Sequence, residues 1–195
     1  MKQRKLEILL EQVGGFDSPD VTLEQYATPA LLAAEILHFA YMQGDLEGTV
    51  FDLGCGTGVL AIGAKLLGAK RVVGFDIDRK ALEVAKKNAE KLGVEVEFIH
   101  SDISRLEGHA DTVVMNPPFG AQSKGNDRPF LLSALKTSDV VYSIHNCGSH
   151  NFIAGFIGDA SITDWYTTAF PMKRTFKFHK KELEMIKVEI YRIVR

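Results

Sequence analysis

Short apolar segments alternate with helical patterns along most of this chain, and that alternation limits the possible folds more than any other feature of the sequence. A strand pattern at Thr49 to Leu53 leads through a glycine-rich loop to a helical pattern at Val59 to Leu67. A second strand and helix follow at Arg71 to Phe75 and Arg79 to Leu92. Segments in this order form right-handed βαβ units. The sequence therefore predicts an α/β fold with a doubly wound, mostly parallel sheet.

The rest of the chain supplies further strands and two helices ahead of the first strand. Apolar residues at three-to-four spacing predict N-terminal helices around Leu6 to Val13 and at Ala30 to Met42. Alternating polar and apolar residues at Lys173 to His179 and Glu182 to Val194 predict an antiparallel C-terminal hairpin on one sheet edge. The remaining patterns are strands at Val94 to His100, Asp111 to Met115 and Ser138 to Ile144, and an extended or helical segment at Arg128 to Lys136.

The composition is that of an ordinary globular domain. A chain of 195 residues with 46% hydrophobic and 25% charged side chains is neither disordered nor fibrous. With 23 Lys and Arg against 25 Asp and Glu, any affinity for nucleic acid has to come from a local basic patch. Cys55 and Cys147 form no disulfide framework or metal-binding pattern, so we expect no metal and a reducing, cytoplasmic location.

The segment F-D-L-G-C-G-T-G, from Phe51 to Gly58, is the first candidate ligand site. Open α/β sheets bind ligands at the carboxyl ends of their strands, and glycines there let the backbone pass close beneath a ligand. Its spacing, G-x-G-x-G, differs from the G-x-G-x-x-G of dinucleotide sites. Preceded by Asp52, this loop favours S-adenosylmethionine over a nicotinamide cofactor.

Two further strand ends carry acidic residues. Asp76 follows the second strand pattern, where a carboxylate can accept hydrogen bonds from both ribose hydroxyls of a nucleoside. Asp78 stands immediately before a helical pattern and is expected to cap that helix, while Ile77 packs on the adenine face. Asp102 follows the next strand pattern and is expected to accept the exocyclic amine of the adenine.

The most specific segment is D-T-V-V-M-N-P-P-F, which ends in the predicted catalytic residues Asn116, Pro117, Pro118 and Phe119. Two consecutive prolines end a parallel strand and make a rigid corner, because each fixes φ near about −65°. The side-chain oxygen of Asn116 and the carbonyl of Pro117 can accept both N–H bonds of a planar amine, which directs the nitrogen lone pair at a sulfonium methyl. Phe119 would stack on the flat substrate.

These residues resemble the amino-methylating branch of the Rossmann-like S-adenosylmethionine-dependent methyltransferases, whose signature is Asp, Asn or Ser followed by two prolines and an aromatic residue. More narrowly, the chain is similar to the methyltransferase-like protein 5 family, which places N6-methyladenosine on small-subunit ribosomal RNA. The segments that carry the likeness are L-E-Q-Y-A-T-P (Leu23 to Pro29), V-F-D-L-G-C-G-T-G-V-L (Val50 to Leu60), V-G-F-D-I-D (Val73 to Asp78), D-T-V-V-M-N-P-P-F-G (Asp111 to Gly120), V-Y-S-I-H (Val141 to His145) and F-K-F-H-K-K (Phe176 to Lys181).

The resemblance implies a single methyltransferase domain that uses S-adenosylmethionine and methylates N6 of an adenosine. We expect residues 1–45 to form a helical cap over cofactor and substrate, and residues 46–195 to form the catalytic core. The family implies that Gln25 and Thr28 close over the cofactor. The expected cofactor-binding residues are Gln25, Tyr26, Thr28, Asp52, Gly54, Cys55, Gly56, Gly58, Leu60, Asp76, Ile77, Asp102 and Asn116.

A basic segment near the C-terminus and one sheet edge are candidate contact surfaces. Basic residues interleaved with Phe176 and Phe178 suit RNA, although the two rings are expected to face the core. The family works with a small zinc-binding activator of the Trm112 type, which adds a strand at a sheet edge, here Val94 to His100. The expected RNA-binding residues are Lys173, Arg174, Lys177, Lys180 and Lys181.

Other functions remain open at this point. A protein glutamine methyltransferase of the release-factor type would use the same corner on a carboxamide, but that family typically has tyrosine where this chain has Phe119. A catalytically inert module that keeps the fold for RNA or partner binding is a second alternative. A DNA adenine methyltransferase is disfavoured because no residues remain for a separate recognition domain, and a nicotinamide oxidoreductase by the spacing of the glycine loop.

Overall fold

The protein folds around one seven-stranded sheet. The computed structural model describes residues 1–17, 19–20, 22–118, 125–173 and 183–195, with only the backbone described for 170–173 and 183–184. The strands are β1 (Thr49–Leu53), β2 (Arg71–Asp76), β3 (Glu97–His100), β4 (Ala110–Met115), β5 (Ser138–Asn146), β6 (Ser161–Lys173) and β7 (Leu183–Val194). Their order is β3-β2-β1-β4-β5-β7-β6, in which the first five are parallel. The predicted α/β class with a mostly parallel sheet is confirmed.

Helices cover both faces of this sheet. Within the described ranges the α-helices are α1 (Gln3–Leu10), α2 (Ala30–Met42), α3 (Val59–Leu66), α4 (Arg79–Lys91), α5 (Arg128–Thr137) and α6 (His150–Phe156). Buried residues of α1, α2 and α3 form one hydrophobic cluster with one face of the sheet, and those of α5 and α6 form a second cluster on the other face. The predicted bounds of β1 and α2 are confirmed, and those of α3, α4 and β2 agree within one residue.

The strand predicted at Val94 to His100 is wrong in its first half. Pairing with β2 begins at Val73 and Glu97, so residues 94–96 lie outside the ladder. Val94 and Val96 are apolar because they pack, half-buried, against the cluster that contains α3. The apolar pattern at residues 94–96 therefore reflects packing and not strand pairing, and for this reason the predicted strand began too early.

The C-terminal hairpin is antiparallel, as predicted, but its first strand begins earlier in the chain. β7 pairs with β5 on one side and with β6 on the other, and both of these pairings are antiparallel. The predicted strand at Lys173 to His179 lies, apart from Lys173, outside the described residues. β6 itself was not predicted, because small and polar residues such as Thr163 and Thr167 occupy its exposed positions and weaken the apolar alternation.

The two N-terminal helices are part of the main core. Leu6 and Leu10 of α1 are buried against α2 and α3. The backbone of α3 approaches them so closely at Gly63 that an added Cβ would lie 2.4 Å from Cδ1 of Leu37 and 3.3 Å from Cδ1 of Leu10. The segment between α1 and α2 is therefore anchored at both ends.

Every helix in the part of the chain that the structure describes is too short or too polar to traverse a bilayer.

Candidate active site

A cavity of about 340 Å³ opens at the carboxyl ends of β1, β2 and β4. Residues just after each of these strands line it, including Gly54, Ile77 and Asn116. The segment between α1 and α2 contributes residues 22–28, and the start of α5 contributes Pro129 and Phe130. Asp102, after β3, also lines it, so the four strand ends singled out from the sequence face one space, as expected for an open parallel sheet.

The loop after β1 is shaped for close contact with a ligand. Gly54 and Gly56 have φ values of +70° and +52°, which other residues adopt only at a cost. The amides of Gly54 and Cys55 both donate to the carbonyl of Phe75, which ties the loop to the end of β2. With no side chain at either glycine between the strands and the cavity, this loop forms the cavity floor.

Two phenylalanines lie directly against that floor. A Cβ added at Gly54 would be 2.8 Å from Cε1 of Phe130, and one added at Gly56 would be 2.9 Å from Cζ of Phe16. Both rings line the cavity. Their place in the site could not be predicted from the sequence, because neither phenylalanine belongs to a motif and both come from segments distant in sequence from the loop.

Asp52 is buried at the back of the cavity. Its Oδ2 accepts a 2.9 Å hydrogen bond from the amide of Ala61, and its Oδ1 accepts none from any described residue. Burial, and secondarily the negative charge of Asp76, raises the pKa of the Asp52 carboxyl to about 8. At neutral pH the ligand-free protein therefore holds this group largely protonated, with an oxygen left over for a cationic or hydrogen-bonding ligand.

The raised pKa of Asp52 predicts that the ligand-free protein loses stability as pH rises. In the unfolded chain the carboxyl titrates near its ordinary pKa of 3.8 and in the folded protein at about 8, so between these values the folded state binds more protons. We expect the free energy of unfolding to fall by about 1 kcal/mol per pH unit between pH 6 and 8. Urea unfolding at both pH values measures the slope.

Asp52→Asn is the control for this pH dependence. The variant removes the titrating group, so its slope between pH 6 and 8 should be smaller than that of the unmodified protein. Burial also raises the pKa of Asp76, a carboxyl that both proteins keep, so the comparison isolates Asp52. Identical slopes in the two proteins would show that Asp52 is not protonated in the folded state.

Asp76 and Asp78 organise the end of β2. Oδ2 of Asp76 accepts a 2.7 Å hydrogen bond from the amide of Gly56, and its Oδ1 accepts one of 2.9 Å from the amide of Asp78. Asp78 caps α4, as predicted, by accepting from the amide of Lys80. Ile77 between them is 55% exposed on the cavity wall, which leaves its side chain open to a flat ligand.

Asp102 lies at the outer end of the cavity. One oxygen, Oδ1, accepts a hydrogen bond from the amide of Ser104, which lowers the pKa of the carboxyl below its ordinary value. Ile103 and Ser101 beside it also line the cavity. The side chain is thus ionised and exposed, and it can accept a further hydrogen bond from an amine donor such as that of adenine.

The segment before α2 closes over the cavity through Gln25. Its Nε2 donates 2.7 Å to Oδ2 of Asp78, and its Oε1 accepts 2.7 Å from the amide of Asp20. Glu24 next to it has a φ of +51°, and its Oε1 accepts a 3.4 Å hydrogen bond from Nδ2 of Asn126. The segment is thus fastened to the end of β2 on one side and to the start of α5 on the other.

Asn116 directly follows β4 and faces the segment that contains Thr28. Its Nδ2 donates a 2.9 Å hydrogen bond to Oγ1 of Thr28, which fixes the orientation of the amide. Its Oδ1 is buried and has no hydrogen-bond partner among the residues that the structure describes. Pro118 lines the same cavity. A buried acceptor without a donor is costly in a folded protein, so this oxygen fits a role in binding a donor from a ligand.

A buried histidine supports the far wall of the cavity. His145 lies 2.7 Å from Oγ of Ser143 through Nε2 and 3.4 Å from Oδ2 of Asp127 through Nδ1. This contact lowers the pKa of Asp127. Because Asp127 directly follows Asn126 and precedes α5, the histidine anchors the cavity wall to β5.

The structure brings most of the predicted site residues together. The predicted residues that line the cavity are Gln25, Tyr26, Thr28, Asp52, Gly54, Cys55, Gly56, Leu60, Asp76, Ile77, Asp102, Asn116 and Pro118. Gly58 and Pro117 are not among its lining residues, and Phe119 lies outside the described part of the chain. Of the predicted RNA-binding residues, only the backbone of Lys173 is described, and Arg174, Lys177, Lys180 and Lys181 lie outside the described ranges.

These donors and acceptors fit a nucleoside cofactor that carries a positive charge. The carboxylates at the ends of β2 and β3 can bind the ribose and adenine of S-adenosylmethionine, and the exposed side chain of Ile77 can pack on the adenine. The glycine backbone of the floor leaves room for the methionine portion. The buried Oδ1 of Asp52 behind the floor is open to a positively charged or hydrogen-bonding group of the ligand. Among the described residues, no group of three or more His, Cys, Asp or Glu side chains is arranged to hold a metal ion.

Comparisons with known proteins agree with this geometry. The methyltransferase small domain family matches residues 31–134. The chain is 35% identical to the rRNA N(6)-adenosine-methyltransferase Mettl5 of Drosophila melanogaster over 98% of this chain and 96% of that protein. It is 42% identical to an uncharacterised protein of Methanocaldococcus jannaschii, over 99% of this chain and 94% of the relative. A crystal structure of a candidate RNA methyltransferase from Pyrococcus horikoshii is similar with a TM-score of 0.93 and 44% identity, and covers 100% of this chain and 98% of that one.

Proposed function

This chain belongs to the methyltransferase small domain family, and on that basis we propose that it transfers the methyl group of S-adenosylmethionine to N6 of an adenosine in ribosomal RNA. The observation that carries the proposal is the buried, unpaired Oδ1 of Asn116 on the cavity wall. The full-length similarity to Mettl5 supports an RNA adenosine as the substrate.

Asn116 provides what a planar amine needs to react. The N6 lone pair of adenine is delocalised into the ring, so the amine is a weak nucleophile until its two N–H bonds are held. Oδ1 of Asn116 accepts one of them, and its direction is fixed because Nδ2 is bonded to Thr28. The rigid corner at Pro117 and Pro118 provides the second acceptor, the carbonyl of Pro117. Holding the amine in this way requires no strong base.

The floor and the strand ends are proposed to hold the cofactor. Asp76 and Asp102 accept hydrogen bonds from ribose and adenine, while the loop at Gly54 and Gly56 passes beneath the ligand. When bound, S-adenosylmethionine supplies a methyl group made electrophilic by its sulfonium. Asp52 is largely protonated in the ligand-free protein, and a bound sulfonium would lower its pKa, so that the resulting carboxylate would stabilise the positive charge. Gln25, whose segment closes over the cavity, would exclude water from the site.

The position of the C-terminal hairpin supports an RNA substrate. β5 ends at Asn146, opposite Val188 of β7, at the sheet edge that carries the cavity. Pairing of β6 with β7 continues beyond that point as far as Lys173 and Leu183. The basic segment that starts at Lys173 is therefore attached at the end of the sheet where the carboxyl ends of the parallel strands form the cavity. Lysines and arginines there would neutralise phosphates around an extruded or unpaired target.

The proposal has three further parts. The RNA comes from the small ribosomal subunit, the protein acts in the cytoplasm, and an activator of the Trm112 type binds it. The outer side of β3 has no strand partner among the described residues, and a groove beside it is lined by Val94, Val96 and Phe98. An edge of this kind can accept an added strand. We expect co-expression with such an activator to raise solubility and cofactor affinity. Full stability and activity of the isolated chain would contradict a required activator.

Methyl transfer from labelled S-adenosylmethionine tests the proposed function. The protein, alone and with the activator, is incubated with total RNA and with total protein, and the labelled products are hydrolysed and identified. We expect the label in N6-methyladenosine. Label in glutamine would instead show that the protein is a glutamine methyltransferase of the release-factor type and would exclude RNA as its substrate. If calorimetry detects no cofactor binding with or without the activator, the chain is an inert binding module.

A further inference from the structure

Three aromatic rings form a cluster beside α6, on the side of the sheet that carries α5. Trp165 on β6 and Tyr191 on β7 are nearly parallel, with 12° between their planes and 6.2 Å between ring centroids. The ring of His150 lies 4.5 Å from that of Trp165 and 6.0 Å from that of Tyr191. Trp165 pairs in register with Tyr191, so the two side chains project from the same face of the sheet.

Trp165 is the exposed member of this cluster. It is 47% exposed, although Tyr191 is fully buried and His150 covers part of the indole. β6 is the outermost strand, and Thr167 and Ala169, which follow at alternate positions, are exposed as well. A large aromatic ring left open beside a buried one has the form of a stacking platform.

The ring of His150 is held in the cluster at an energetic cost. Its Nδ1 is buried and has no hydrogen-bond partner in the described part of the chain. A buried nitrogen without a partner is destabilising, so the ring is retained here for its flat surface against Trp165 rather than for its polar contacts.

Two exposed cations lie on or against the elements that carry this cluster. Lys187 of β7 pairs with Ala169 and is exposed, and in the described residues it forms no ion pair. The guanidinium of the exposed Arg128 lies 5.4 Å above the ring of Phe152 on α6. Glu189, which lies between Lys187 and Tyr191 on β7, is buried and accepts hydrogen bonds from the amides of Gly148 and Ser149.

These residues connect the platform to the cavity. Arg128 directly precedes Pro129 and Phe130, which line the cavity, and its contact residue Phe152 lies two positions after His150. Strand β6 continues from Trp165 to Lys173, where the basic segment begins. The start of α5, strand β6 and strand β7 thus carry, respectively, a cation on an aromatic ring, an exposed indole and an exposed lysine.

We infer that Trp165, backed by His150, stacks on an unpaired base of the substrate RNA that lies outside the target pocket. This inference rests on the proposed function, since it takes the RNA as substrate, and it adds a second contact that holds the RNA while the target adenine enters the cavity. Lys187 and Arg128 neutralise the adjoining phosphates. Stacking of this kind tolerates any base, so the platform contributes affinity without selecting a sequence.

Intrinsic fluorescence tests the inference directly, because Trp165 is the one tryptophan of the chain. A short single-stranded RNA of mixed sequence is titrated into the full-length protein, and binding is followed in parallel by anisotropy of labelled RNA. We expect quenching of the tryptophan emission along the same binding curve. Binding by anisotropy with unchanged emission overturns the inference, and so does the absence of any RNA binding.

Matched substitutions measure the contribution of the indole. Trp165→Ala should weaken RNA affinity about 10-fold, while Trp165→Phe, which keeps a ring, should stay within about 3-fold of the unmodified protein. Met42→Ala removes another exposed apolar side chain, at the end of α2, and should leave RNA affinity unchanged. An unchanged affinity in Trp165→Ala, with thermal unfolding like that of the unmodified protein, rules out the platform.

Methyl transfer separates failure of the inference from failure of the proposed function. If Trp165→Ala methylates RNA with an unchanged rate at saturating RNA and a raised KM, both the function and the platform are supported. If KM is also unchanged, the platform is excluded while the function stands. If the unmodified protein binds RNA but labels only protein, the proposed function is excluded. Quenching by a Trm112-type protein instead of RNA would assign the surface to a protein partner and overturn the inference.

Discussion

Asn116→Ala is expected to lower the rate of methyl transfer to RNA by about 10²- to 10³-fold while cofactor affinity changes little. The substitution removes a buried amide oxygen on the cavity wall that is oriented by Thr28 and yet has no donor of its own among the described residues. Without it the target amine keeps one N–H bond unheld, and its lone pair is no longer directed at the methyl group. Single-turnover rates with saturating RNA, together with calorimetric cofactor affinities, measure the two effects separately.

Asn126→Ala is the matched control. Asn126 is also an asparagine on the cavity wall, but among the described residues the hydrogen bond of its amide is a long one, of 3.4 Å, to Glu24. We expect the Asn126→Ala variant to transfer methyl groups at a rate within about 10-fold of that of the unmodified protein, since no reacting group depends on Asn126. Equal rate losses in the two variants would mean that Asn116 acts through the shape of the cavity, and an unimpaired Asn116→Ala protein would exclude the proposed mechanism.

The second large effect concerns stability. Gly63→Ala should lower the free energy of unfolding by about 1–3 kcal/mol, because the new methyl group would lie 2.4 Å from Cδ1 of Leu37. Leu37 is fully buried, so relieving this contact requires either its side chain to displace its neighbours or α3 to shift away from α2. Either change costs packing energy, although alanine has the higher helix propensity. Urea unfolding with an unchanged m-value gives the difference.

Gly155→Ala is the same substitution in a site without neighbours. An added Cβ there meets no atom within 4 Å, and Gly155 lies on an exposed position of α6. We expect this variant to be more stable than the unmodified protein, by up to about 1 kcal/mol, because the unfolded chain loses conformational freedom. A gain of stability in both variants would show that helix propensity and not packing decides the outcome at Gly63, whereas a loss in both would contradict the stabilisation expected at Gly155.

Local patterns were sufficient wherever one segment determines its own structure. The helix at α2 and the strand at β1 follow from apolar periodicity and from the glycines at their ends. The capping role of Asp78 follows from its place before a helical pattern, and the hydrogen bond to Lys80 confirms it. The pattern failed at residues 94–96, where valines that pack against a helix resemble a strand, and at β6, where exposed small and polar residues hide one.

The sequence alone determined the class of the fold and the four strand ends at which a ligand would be sought. Strand alternation and the acidic, glycine and proline residues after each strand are local properties, and parallel strands necessarily bring their carboxyl ends to one edge. Only the tertiary structure decided which way the amide of Asn116 points, since its partner Thr28 comes from a distant segment. The same holds for Phe16 and Phe130 on the cavity floor and for His150 against Trp165, because contacts between remote segments leave no periodic trace in the chain.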